Sequence, residues 1–180
     1  MSKHRTDLRA GFVSLKSHPK GPNGRGLCRY CNEEVPKGRQ TFCSEPCIHE
    51  WKIRSNSGYS RKMVWKRDHG MCALCGIDTE VERAKRREVQ RLMEWFARRH
   101  LEDAGLAGYI YLEIKKMVDA QLKPLGWPIT TERSWWENHH IIPVVEGGGC
   151  CSIDGMQTVC TPCHRRLTAE LRKRLKNKNV

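Results

Sequence analysis

Cysteine spacing constrains this chain more than any other feature of it. Of ten cysteines, six fall into the Cys-x-x-Cys pairs Cys28/Cys31, Cys72/Cys75 and Cys160/Cys163, and two more form Cys43-x-x-x-Cys47. Each short pair offers two thiols from one turn, which suits a tetrahedral ion. At 180 residues and 38% apolar content the chain is lean for a self-sufficient core, so bound metal is expected to supply folding free energy. The N-terminus is polar and no apolar run approaches about 20 residues, so neither a leader nor a membrane span is expected. The expected setting is intracellular, cytoplasm or nucleus. In that reducing setting the pairs read as zinc ligands rather than disulfides.

The pairs sort into two quartets. Cys28 and Cys31 are separated from Cys43 and Cys47 by an eleven-residue gap after Cys31, long enough for a hairpin that brings the two pairs together. A closed structural zinc finger is expected over residues 27–50, with His49 an available substitute ligand. Cys72, Cys75, Cys160 and Cys163 are distant in sequence but complementary, and a second zinc would clamp the start of one domain to the start of its last helix. Cys150 and Cys151 are left over; Cys151 reads as a packing residue and neither is assigned to zinc.

The net charge of +13 is unevenly spread. The first 26 residues carry six Lys/Arg against one acid, and the chain from His164 onward carries seven against one. Trp135 to Cys163 has no Lys or Arg and three acids, Glu137, Glu146 and Asp154. A basic body with a local gap in its positive charge suits a protein that grips phosphates and also holds a cation. Residues 1–26, with Pro19, Gly21, Pro22, Gly24 and Gly26, read as a flexible basic arm, and 176–180 as a basic tail.

Between Cys47 and about Lys66, Trp51, Ile53, Tyr59, Val64 and Trp65 alternate with Lys52, Arg54, Arg61, Lys62 and Lys66. Helix is expected there, its aromatics serving as core with a wet side or as a nucleic-acid face. From about Thr79 to His100, Val81, Val89, Leu92, Met93 and Phe96 recur at helical spacing. A second helix is expected from about Leu106 to Leu122, through Ile110, Ile114, Met117, Val118 and Leu122. Acids and bases nearly cancel between Gly76 and Ser134, ten against eleven, as in a salt-bridged helical hairpin. Pro124, Gly126 and Pro128 end it. Residues from about 77 to 126 therefore read as an insertion within a domain spanning 51–175.

The stretch from Ser134 to Leu167 carries the chemistry. Trp135 to Val145 reads as a strand bearing His139-His140, Gly147-Gly148-Gly149 as a loop, and Cys151 to Val159 as an irregular second strand. Cys160-x-x-Cys163-His164 then opens a helix to about Leu175, with Pro162 tolerated in its first turn. The cysteine clamp anchors His164 one residue after a zinc ligand and lets it face the strand. Neighbouring strand residues point to opposite faces, so one of His139 and His140 can share a metal with His164 while the other meets water or substrate.

The string Val64-Trp65-Lys66-Arg67-Asp68-His69-Gly70-Met71-Cys72-Ala73-Leu74-Cys75-Gly76, then His139-His140-Ile141-Ile142-Pro143, Gly147-Gly148 and Cys160-x-x-Cys163-His164, resembles the HNH endonucleases. The N-terminal finger with Trp51-Lys52-Ile53-Arg54-Ser55-Asn56 is closer still to the nuclease domain of the zinc-finger Ran-binding-domain annealing helicases. The resemblance covers roughly residues 27–168. It implies an α+β fold, a small zinc-stabilised ββα-metal domain, here with a helical insertion and the N-terminal four-cysteine finger. It also implies a DNA endonuclease in which His139 and His164 hold one divalent ion (Mg²⁺, Mn²⁺, Ni²⁺ or Zn²⁺) and His140 is the general base. The implied products are 5′-phosphate and 3′-hydroxyl ends. His139 stands where many relatives have Asp, although the nuclease colicins also use a His-His pair.

One position departs from the family. The middle Asn of the motif, which braces the loop and orients the base, falls on Gly155, and Asp154, Gln157 and Asn138 are the candidates to replace it. The alternative that follows is a catalytically weak or inactive zinc-dependent nucleic-acid-binding module. A thiol redox protein would need reversible disulfides, whereas two bound zinc ions are expected. Arg67, Arg165, Arg166, Arg172 and Lys173 are the candidate phosphate-contacting cations, and no dimerisation signal stands out.

Overall fold

A computed structural model of the chain describes residues 14–100, 104–128 and 133–178. Five helices and two strands follow one another as α1 (Glu45–Ser55), α2 (Ser57–Asp68), α3 (Thr79–His100), α4 (Ala104–Leu122), β1 (Trp136–His140), β2 (Met156–Cys160) and α5 (Thr161–Lys178). Strands β1 and β2 pair in a two-stranded sheet. The order gives the expected α+β class. Two compact units divide the chain, Met1–Arg67 with His140–Gln157, and Asp68–His139 with Thr158–Val180.

In the first unit the expected finger forms around Cys28, which is fully buried with Val35 beside it in the core. Residues 20–27 are less loose than their Gly and Pro content suggests. Lys20 bridges Gly26, Leu27 bridges Glu34, and the buried His18 ring makes a 2.7 Å hydrogen bond to the Leu27 carbonyl. Residues 1–13 of the expected arm lie outside the described residues. Ser44 caps α1, its hydroxyl accepting the Cys47 N–H at 3.3 Å, with Glu45 in the first turn to complement the helix dipole. Arg29 is buried against the Trp51 ring, 4.1 Å from its centroid, and Trp51 meets Phe42 edge-on. Of this stretch Ile53 and Val64 are buried in the core, Trp51 and Tyr59 are half-buried, and Trp65 is exposed.

In the second unit, Asp78 accepts the N–H groups of Glu80 and Val81 and so starts α3. α3 and α4 pack on each other, joined by the Arg86–Asp119 ion pair at 2.9 Å, in which Arg86 is 7% exposed. The helical spacing is as expected, but the apolar stripe is only partly covered: Val81, Val89, Leu92, Phe96 and Met117 are exposed. After the turn at Lys123–Gly126, Gly126 lies against Pro162 at the start of α5, and Trp127 stacks on the buried Trp135 at 5.1 Å. Cys72, Val159, Cys160 and Cys163 form the core beneath, flanked by Trp127 and Leu167.

Two strand limits differ from the expectation. β1 stops at His140 rather than Val145, because Pro143 has no N–H to give a ladder and residues 144–146 curl into a 3-10 turn closed by Gly147 at φ 96°. The second strand starts only at Met156, after another 3-10 turn over Ile153–Gly155. α5 runs on through Lys178, so 176–178 are helical and residues 179–180 lie outside the described residues.

Candidate active site

Both expected quartets assemble, the sulfurs of each lying within 4.8 Å of one another. A Zn–S bond of about 2.3 Å implies sulfurs about 3.8 Å apart in a tetrahedron. Cys31 and Cys43 are 3.6 Å apart, Cys43 and Cys47 3.3 Å, and Cys75 and Cys160 3.7 Å. Either quartet could therefore hold a metal ion such as zinc. The first is made by the four cysteines without His49, whose Nδ1 is 2.8 Å from the Tyr59 hydroxyl.

The two knuckles share one backbone pattern. Cys28 N–H bonds the Glu33 carbonyl and Asn32 N–H the Cys28 carbonyl; Cys72 N–H bonds the Ile77 carbonyl and Gly76 N–H the Cys72 carbonyl. The fifth residue of each turn must then be left-handed, as Asn32 (φ 63°) and Gly76 (φ 70°) are, and these are residue types that tolerate it. Burial raises the Cys28 thiol, but backbone N–H groups from Cys31, Cys43 and Tyr30 outweigh it and bring the thiol down to about 7. Cys72 is likewise raised by burial and brought down to about 7 by N–H groups of Cys160, Leu74 and Cys75. The Cys160 N–H reaches the Cys72 sulfur at 3.3 Å. Cys31 is pushed up to about 12 by burial and by the sulfurs beside it, and Cys160 is raised for the same reasons. Thiols must lose their protons to bind a metal, and the backbone N–H groups around Cys28 and Cys72 favour that loss.

The second quartet positions the histidines. Cys163 lies in the first turn of α5, and His164 follows it half-buried on the same helix. The Trp135 carbonyl accepts both the N–H and the hydroxyl of Thr161, fixing the approach to β1 against the start of α5. The rings of His139 and His164 come together with centroids 5.3 Å apart and planes at 77°. A metal–nitrogen bond of about 2.1 Å puts each ring centre roughly 3.2 Å from an ion, and two such rings about 5 Å apart at a tetrahedral angle. The pair therefore fits a shared divalent ion. Among the described residues, groups of three or more metal-capable side chains are the two cysteine quartets, so a cation held by the two histidines would keep open positions. His140, the next residue along β1, is half-buried.

Of the candidate phosphate-contacting cations, Arg165, Arg166, Arg172 and Lys173 lie exposed along α5, with Arg166 4.0 Å from Glu170. Arg67 is differently engaged: its two terminal nitrogens donate to the carbonyls of Ile153 (2.8 Å) and Met156 (2.7 Å). Sequence reasoning missed this fork, and missed Asp68, whose Oδ2 accepts the Thr158 N–H at 3.0 Å. No local pattern announces either, because the partners are 86 to 90 residues away. Of the proposed substitutes for the motif Asn, Asp154 is exposed, and Gln157 and Asn138 are half-buried.

Residues 128–170 match the family model of the HNH endonucleases. That match is to a segment of the chain and not to its whole length. Three proteins named DNA annealing helicase and endonuclease ZRANB3 are also similar to the chain: 35% identical in Mus musculus, 33% in Bos taurus and 31% in Homo sapiens. Each match covers 83% of this chain but 14% of the relative, so the chain spans a small part of their length. No solved structure matches it. The HNH assignment places His139, His140 and His164 within the matched segment, together with Cys160 and Cys163. Both comparisons support a nuclease-type function. No helix among the described residues is long and apolar enough to cross a membrane.

Proposed function

We propose that the chain hydrolyses phosphodiester bonds in DNA as a metal-dependent HNH endonuclease, acting inside the cell. The observation that carries this reading is the pair His139 and His164, 5.3 Å apart within a segment of that family. The relatives' name, DNA annealing helicase and endonuclease, supports DNA as the substrate. The two cysteine quartets would each hold a structural zinc ion, and His139 and His164 one catalytic divalent ion. That ion would offset charge on a phosphate oxygen and on the leaving 3′ oxygen.

His140 is the residue assigned to the water. Its imidazole accepts one proton as the water oxygen bonds to phosphorus, and the bond from phosphorus to the 3′ oxygen breaks. The 3′ oxygen takes up a proton from solvent water, leaving a 3′-hydroxyl and a 5′-phosphate. The acid-bearing, cation-free stretch Trp135–Cys163 supports a site for a cation, and the exposed cations of α5 support a grip on the backbone.

The test is relaxation of supercoiled plasmid by the purified chain across Mg²⁺, Mn²⁺, Ni²⁺ and Zn²⁺. Nicking should depend on the added metal and fall by about 10²–10⁴ in His140→Ala, the range for loss of a general base. Undiminished nicking by His140→Ala would remove the assignment of the base. Gly155 favours a second reading, a zinc-dependent module that binds nucleic acid without cutting it. That reading expects salt-sensitive binding and no metal-stimulated nicking.

A further inference from the structure

Arg67, in the last turn of α2, has its guanidinium forked onto the backbone on both sides of Gly155, one nitrogen on the Ile153 carbonyl and the other on the Met156 carbonyl. Gly155 in turn accepts the Ile141 N–H on its own carbonyl at 2.9 Å, and Ile141 directly follows His140. Arg67, His140, Ile141 and residues 153–156 all belong to the first unit. The 3-10 turn at Ile153–Gly155 is thus pinned at both ends by one planar group, and its last carbonyl holds the backbone next to the proposed base.

Position 155 has no room for a side chain. A Cβ there would sit 2.6 Å from the Cys151 Cβ and 2.9 Å from its sulfur, closer than side chains approach. Cys151 fills the space, and a clamp on this turn has to reach it from another element. Arg67 does so with charge-assisted hydrogen bonds, whose two-pronged geometry fixes orientation as well as distance.

We infer that Arg67 is a positioning residue that holds the turn at Gly155, and through the Ile141 N–H the backbone of His140, rather than a phosphate-contacting cation. The inference rests on the reading of His140 as the base only for its catalytic consequence; the clamp itself is independent of it. Lysine separates the two roles. Its ammonium keeps the charge and most of the stem but cannot span two carbonyls as a fork, so it would satisfy a phosphate and fail as a clamp.

The experiment uses the full chain with zinc bound, as parent, Arg67→Lys and Arg67→Ala. Amide hydrogen exchange at Ile141 is followed by NMR, alongside plasmid nicking with Mn²⁺. With zinc content unchanged, the Ile141 N–H should exchange about tenfold faster or more in both variants, the effect of losing one charge-assisted hydrogen bond. Nicking should lose about 10²-fold in kcat, as displaced catalytic groups do, with KM and salt dependence unchanged. If Arg67→Ala fails to fold, Arg67→Lys carries the test. Parental exchange at Ile141 in Arg67→Lys overturns the inference. So does full activity of Arg67→Lys beside a raised KM in Arg67→Ala. A parent that never nicks would defeat the hydrolase reading alone, and the exchange measurement would still decide the role of Arg67.

Discussion

His139 and His164 lie 25 residues apart in sequence, yet their rings meet edge-on with centroids 5.3 Å apart, His164 on the helix that carries Cys163 and His139 on the strand paired with the one that ends at Cys160. Cys160 ends β2 and Cys163 opens α5, so the direction of His164 is set by the residue beside it.

Removing one ring of this pair should abolish metal use without unfolding the chain. His164→Ala is expected to lose about 10²-fold or more of Mn²⁺-stimulated nicking, the scale of several kcal/mol of charge stabilisation. It should keep both structural zinc ions by elemental analysis and melt at the parental temperature. A variant that nicks at the parental rate would separate His164 from the metal.

The quartets should behave in the opposite way. Cys163→Ser removes a ligand buried in the core of the second unit, and Cys43→Ser removes one from the first. Each should lower the zinc content from two to one and lower the melting temperature by on the order of 10 °C or more, because zinc binding to such sites is itself folding free energy. A chelator strong enough to strip both ions should unfold the parent. Unchanged melting of Cys163→Ser would show that the quartet holds no folding free energy.

Much of this was legible because it is local. A Cys-x-x-Cys turn closes within five residues, so Cys28–Asn32 and Cys72–Gly76 could be recognised from spacing alone, and the left-handed residues Asn32 and Gly76 were a further signal that went unused. Helical periodicity located α3 and α4, but periodicity says which residues share a face, not what covers it. Val89, Leu92 and Phe96 are therefore exposed although correctly placed on one stripe. The Arg67 fork and the contact of Gly155 with Cys151 were not legible. The first joins residues 86 and 89 apart, and the second depends on how a turn closes, which no residue type dictates by itself.

Gly155 offers a direct test of why the motif Asn is missing. Gly155→Asn should not raise activity; its Cβ would collide with Cys151 and should cost about 1–3 kcal/mol, the usual penalty for overpacking. Adding Cys151→Gly should recover most of that loss, so that the two changes couple strongly in a double-mutant cycle read by urea denaturation. Additive losses would mean that Cys151 is not what excludes a side chain from position 155.

The cations of α5 should act on affinity rather than chemistry. Arg165 and Arg172 are seven residues apart, two helical turns, and so share one exposed face just beyond His164, as do Arg166 and Lys173. Arg166 is near Glu170, which draws part of its charge away from a ligand, whereas Arg165 and Arg172 have no ion pair among the described residues. A phosphate contact by each of these two residues releases a counterion. Arg165→Ala and Arg172→Ala should then each lower the slope of log affinity against log salt by about 1, with little effect on kcat. The effect should be alike for unrelated DNA sequences, because a phosphate carries no sequence. Binding titrations of a short duplex at several salt concentrations decide the matter. A parental slope in both variants would move the backbone contact off this face of α5.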